Sequence, residues 1–178
     1  MPKYELVRHA GEVPYEDWAK AGVKVPIFDK DGTLTPVNQN VLLEDVMAAL
    51  RRQQLGDLFD RLAVVSNNHD AAAVDAFAKK LEEELGIGVL AVSRAHDFNK
   101  KPNPAMGVMI AEQVGVEPRE LGVIGDRRYT DVRFGIRLGA AKIALCQKMG
   151  EGDSRFVPTA RRIEKIWVAA DKVRGIAA

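Results

Sequence analysis

Val25-Pro26-Ile27-Phe28-Asp29-Lys30-Asp31-Gly32-Thr33-Leu34-Thr35 is the stretch on which the fold turns. A short apolar run with little alternation ends in an acid, a lysine, a second acid and a glycine. Such a run suits a strand buried on both faces, and those strands belong to parallel sheets covered by helices. Pro26 cannot donate to a ladder, so it belongs among the strand's first residues. The acids then fall at the strand's carboxyl end, where open parallel sheets bind ligands.

Runs of the same character recur at Leu62 to Val65, Val89 to Val92, Leu121 to Ile124 and Ala141 to Leu145. Helical patterns lie between them. Val41 to Gln53 places Val41, Leu42, Val46 and Leu50 on one face, and Asp70 caps a helix to Leu85. Asn103-Pro104 opens a helix to about Val114. Thr130 to Leu138 ends at Gly139, and Pro158-Thr159 opens a last helix to about Arg174. This alternation predicts an α/β, Rossmann-like fold: a five-stranded parallel sheet with helices on both faces. Residues 1–24 read as an N-terminal arm packing on the domain formed by 25–178, with a short helix over Pro14 to Ala21 around Trp18.

Composition narrows the function classes. With 178 residues, 47% hydrophobic and 29% charged, the chain suits one globular domain and excludes wholesale disorder. Twenty-six Lys+Arg against 25 Asp+Glu leave +1, so no nucleic-acid partner is expected. A single cysteine, Cys146, forms no intramolecular disulfide and reads as a small core residue in a reducing compartment. No run approaches the roughly 18 apolar residues of a membrane span, and the charged start has no signal-peptide pattern. A cytoplasmic location is expected. His9, His69 and His96 are scattered, without ligand spacing, and read as solvated.

The chemistry lies in the residues just past the strands. The first strand ends in Asp29 and Asp31, the second in Ser66-Asn67-Asn68, and the fourth in Gly125-Asp126-Arg127-Arg128, with Asp131 close behind. Asn99-Lys100-Lys101-Pro102 precedes the third helix. Four carboxylates on one edge repel each other and need a cation to stay ionised. An all-oxygen set without histidine or thiol suits a hard ion such as Mg²⁺, which commonly takes one or two carboxylates plus a substrate phosphate. Ser66 and Lys101, with the backbone amides after Asp29, are placed to hold the other phosphate oxygens.

Asp29-Lys30-Asp31-Gly32-Thr33 resembles the DxDGT signature of the haloacid dehalogenase (HAD) superfamily. Ser66 matches its second motif, Lys101 its third, and Gly125-Asp126 with Asp131 its fourth, in order, over roughly residues 25 to 146. The resemblance implies a phosphoric monoester hydrolase with Asp29 as nucleophile and Asp31 as general acid and base. It implies that Asp29, Asp31 (through its carbonyl) and Asp126 bind Mg²⁺, that Ser66, Asn67 and Lys101 bind phosphate, and that Asp131 supports the metal or Lys101. Arg127 and Arg128 are candidate substrate contacts. Phe28 to Thr35, Ser66-Asn67-Asn68, Lys101-Pro102 and Gly125-Asp126-Arg127 with Thr130-Asp131 also resemble the mitochondrial and bacterial phosphatidylglycerophosphatase branch. That branch usually has Asn where this chain has Gly32.

Thirty-four residues lie between Asp31 and Ser66, and 34 between Ser66 and Lys101. One strand–helix crossover uses most of either interval, so no large cap is expected and the site is open. An open site suits a phosphorylated lipid headgroup, with peripheral membrane contact, or a homo-oligomer in which a neighbouring subunit closes it. The alternatives are a soluble sugar- or nucleotide-phosphate phosphatase and a non-catalytic HAD-like interaction module. In the last helix Ile163, Ile166, Ala170 and Val173 recur among Arg161, Arg162, Lys165, Lys172 and Arg174. The expectation is an apolar stripe that covers the sheet, with solvated charges, rather than a membrane-facing surface.

Overall fold

The computed structural model describes residues 3–94, 100–147 and 157–176, with side chains of the last segment from residue 165 onward. His96, Asn99 and the side chains of Arg161, Arg162 and Ile163 lie outside the described residues. The strands are β1 (Glu5–Val7), β2 (Val25–Asp29), β3 (Arg61–Ser66), β4 (Gly88–Ser93), β5 (Leu121–Gly125) and β6 (Lys142–Cys146). All pair in parallel in the order β1-β6-β5-β2-β3-β4. The helices are α1 (Tyr15–Lys20), α2 (Glu44–Arg52), α3 (Leu55–Leu58), α4 (Ala71–Leu85), α5 (Ala105–Val114), α6 (Arg133–Leu138) and α7 (Val157–Val173).

The sheet has six strands where five were expected. The extra strand is β1, with Leu6 opposite Leu145. Three residues carry no readable pattern, and their partner lies some 140 positions away. Pro26 sits near the start of β2, where the strand is paired with β5 but not yet with β3, whose register begins at Ile27–Ala63.

Both faces of the sheet are covered. Phe28 packs with Tyr15, Trp18, Met47 and Leu81 on one side; its neighbour Ile27 packs with Met106, Ile110 and Phe134 on the other. Each such side chain contributes roughly 1.5–3 kcal/mol by leaving water. The arm belongs to this core. Trp18 is fully buried, and a Cβ at Gly122 would stand 2.5 Å from its ring, so the sheet leaves room for the indole.

Some elements differ from the sequence reading. Val41 is 61% exposed because α2 begins only at Glu44; Leu42 and Leu43 pack in its place. His9 is half-buried, and its Nδ1 accepts from the Gly11 amide. Two members of the expected stripe on α7 do not cover the sheet: Ile166 is 66% exposed and Val173 90%, while Ala170 is half-buried. The helix docks through Val168 and Asp171 instead. Asp171 is buried, accepting from Tyr4 Oη at 2.8 Å and from Arg128 at 2.6 and 2.9 Å.

Candidate active site

Three strands of the sheet end at the site. Asp29 closes β2, Ser66 closes β3, and Asp126 comes directly after Gly125 at the end of β5. After Asp29 the chain turns sharply: the Gly32 amide donates to Thr35 O at 2.7 Å and the Leu34 amide to Lys30 O at 3.0 Å. Gly32 has φ +86°, and a Cβ there would stand 2.3 Å from Asp126 Oδ2. Glycine therefore serves both the backbone and the acid beside it. Asn is among the residues that best tolerate such a φ, although Asp126 would have to yield to its Cβ.

Beyond β5 a single π-helical turn, Arg128–Val132, carries Asp131 back toward the strand ends. Asp131 Oδ2 accepts from the Arg127 amide at 3.0 Å. A Cβ at Gly125 would meet Asp131 at 2.4 Å, so this strand end must be bare. Lys101, 3% exposed, enters ahead of α5; its amide donates to Asn67 Oδ1 at 2.9 Å. Its ammonium donates to Asp29 Oδ1 and, at 2.7 Å, to Asp131 Oδ1.

The fold thus gathers Asp29, Asp126 and Asp131, whose oxygens lie within 4.8 Å of one another. Burial, with repulsion from Asp131 and Asp126, pushes the Asp29 carboxyl well above the usual range against the pull of Lys101. Burial alone would lower Lys101, but Asp131 and Asp29 outweigh it and hold the ammonium charged. Three hard oxygen donors against one lysine fit a divalent cation of the Mg²⁺ type.

The Asp31 carboxylate lies outside this cluster. Its Oδ1 accepts from the Asn38 amide at 3.0 Å and Lys30 Nζ at 3.2 Å, and its Oδ2 from Ser66 Oγ at 3.3 Å. Ser66 Oγ also accepts from the Asn68 amide. The Asn67 side chain is engaged with the Lys101 backbone. Arg127 lines the cleft with Asp29, Asp31 and Lys101; Arg128 turns away to Asp171 and stands over the Trp167 ring at 5.5 Å. His69 is exposed but borders the cleft.

Sequence reasoning missed Lys30. It is fully buried, donates to Gln39 O at 2.6 Å, and stands 5.4 Å from the centre of the Phe77 ring. A lysine between two acids at the end of a buried strand was the available signal. Asp171 gave none, because Tyr4 is 167 positions away in sequence.

A parallel sheet with these acids, hydroxyl and lysine in this order at its strand ends defines the haloacid dehalogenase superfamily. Within it, the model described as "Mitochondrial PGP phosphatase" matches residues 7–149, and the chain belongs to that family. It is 31% identical over 169 residues to phosphatidylglycerophosphate phosphatase 1, chloroplastic, of Chlamydomonas reinhardtii, covering 90% of this chain and 59% of that protein. It is 31% identical to the chloroplastic/mitochondrial counterpart of Arabidopsis thaliana, covering 86% of this chain and 44% of that protein. The chain therefore spans about half the length of these curated relatives. Among solved structures, an uncharacterized protein from Listeria monocytogenes aligns with TM-score 0.54 at 16% identity, over 81% of this chain and 99% of that one. A "predicted phosphoglycolate phosphatase" from Haemophilus somnus aligns with TM-score 0.54 at 14% identity, over 72% of this chain and 87% of that one. At these identities the likeness is one of fold. Among the described residues, no helix is long and apolar enough to cross a membrane.

Proposed function

We propose that the chain hydrolyses a phosphomonoester through an aspartyl-phosphate on Asp29, and that its substrate is phosphatidylglycerophosphate. The observation that carries this is the cluster of Asp29, Asp126 and Asp131 within 4.8 Å, with Lys101 bridging Asp29 and Asp131. Asp29 attacks phosphorus, and the bond to the leaving glycerol oxygen breaks as that oxygen takes a proton from Asp31. Asp31 then takes a proton from the water that attacks the phosphorus of the aspartyl-phosphate, releasing phosphate and restoring Asp29. Lys101 orients Asp29 and offsets charge on the phosphoryl oxygens. Ser66 Oγ, which donates to Asp31 at the mouth of the cluster, is assigned to a phosphoryl oxygen of the bound substrate. Asp131 orients Lys101 and is itself fixed by the Arg127 amide. Asp29, the Asp31 carbonyl and Asp126 would hold Mg²⁺, which would supply the positive charge that lets two anions meet.

The lipid substrate is supported by family membership and by an open cleft of about 380 Å³ with no cap over it among the described residues. On this reading the protein works from the aqueous, cytoplasmic face of a membrane. The test is phosphate release from phosphatidylglycerophosphate in mixed micelles. EDTA should abolish it and Mg²⁺ should restore it. Release that ignores chelation contradicts the cation site, and release from sugar phosphates alone contradicts the lipid reading.

A further inference from the structure

A second open groove, of about 360 Å³, is lined by Asp126, whose carboxylate lies within 4.8 Å of that of Asp29 in the acidic cleft. Its floor is apolar: Leu6 from β1, Leu145 and Cys146 from β6, and Val168 from α7. Its rim is basic. Lys165 and Lys172 border it, two turns apart on the same face of α7 as Val168 and Ala169. Arg128 lines it too, but that charge is matched by two bonds to Asp171. Among the described residues neither Lys165 nor Lys172 has an ion-pair partner. Two ammonium groups without an ion-pair partner among the described residues, over an apolar floor and beside a site for a phosphomonoester, call for a ligand with a second anion and an apolar continuation. A sugar monophosphate has neither.

We infer that this groove binds a glycerol phosphodiester, the second phosphate of the substrate, between Lys165 and Lys172 while the monoester sits at Asp29. The inference rests on the lipid-phosphate function proposed for the acidic cleft and names the subsite that function lacks. A diester phosphate carries one negative charge that cannot be titrated away near neutral pH, and charge-assisted bonds from two lysines match it. The glycerol that joins the two phosphates spans from one groove to the other across Asp126. Ile166 and Val173, exposed on α7 beside the lysine face, continue the apolar surface outward in the direction acyl chains would leave.

The experiment compares wild type with Lys165→Ala/Lys172→Ala in the presence of Mg²⁺. Its substrates are p-nitrophenyl phosphate, the deacylated headgroup glycerophosphoglycerophosphate, and phosphatidylglycerophosphate in mixed micelles. Both lysines are exposed, so a native melting temperature is expected and serves as the folding control. For the deacylated headgroup KM should rise about tenfold in the variant with kcat retained, and Lys165→Arg/Lys172→Arg should recover most of it. An unchanged KM for both diester substrates overturns the subsite while leaving the proposed function standing. So does an equal loss on p-nitrophenyl phosphate. A loss confined to micelles, with the free headgroup unaffected, overturns it in favour of general attraction to a charged surface. A wild type that hydrolyses p-nitrophenyl phosphate but neither diester substrate overturns the lipid reading and the subsite together.

Discussion

Lys101 stands between two buried acids, and its removal is the sharpest test at the scale of single residues. Lys101→Met would leave Asp29 and Asp131 facing each other, each at most 11% exposed, without their shared cation. Stripping one partner from a buried ionic group costs about 3–5 kcal/mol, so the unfolding free energy from urea titration in EDTA should fall by that amount. Asp29→Asn should cost far less, because it removes an acid from a site with three acids and one lysine. Equal losses for the two variants would contradict this charge balance. Asp29, Ser66, Lys101, Asp126 and Asp131 were legible in the sequence because each comes after an apolar strand or before a capped helix. The direction of the Asp31 carboxylate was not, since the Asn38 amide, Lys30 and Ser66 decide it together.

At the scale of elements, the end of β5 and the anchor of α7 make separate predictions. Gly125→Ala puts a methyl group 2.4 Å from Asp131, so the π-helical turn must move. Overpacking of this kind costs about 1–3 kcal/mol, and turnover should drop more than stability because Asp131 would leave Lys101. Full activity in this variant would show that Asp131 does not position Lys101. Helix α7 is held by Asp171, whose carboxyl the bonds from Arg128 keep below the usual range. That contribution is present above about pH 4 and is lost as pH falls through the lowered value. Burial and Asp171 push Tyr4 up to about 12. Its contribution is present below about pH 10 and fades as pH rises toward the raised value. Hydrogen-exchange protection along α7, taken relative to the intrinsic rate at each pH, should be flat between these limits and fall outside them, and Asp171→Asn should lose the acid limb. An Asp171→Asn profile identical to wild type would contradict the anchor. The strands were readable from their apolar runs, whereas β1 and the α7 anchor depend on partners more than 100 positions away. The apolar spacing in α7 was real but misleading, because an acid and one valine, rather than Ile166 and Val173, face the sheet.

The whole molecule is a sheet that brings acids from distant segments to one open edge. Elements α2, α3, α4 and β4 fill the intervals where a cap would be inserted. Everything proposed for the substrate, at either groove, depends on Asp29 carrying the phosphoryl group. Borohydride quenching during turnover tests this directly, since it reduces an aspartyl-phosphate to the alcohol and leaves homoserine in the chain. With phosphatidylglycerophosphate and Mg²⁺ present, mass spectrometry should find homoserine at position 29 and at no other aspartate, and none without substrate. Continuous phosphate release with position 29 unmodified, or with the label at another residue, would contradict the account.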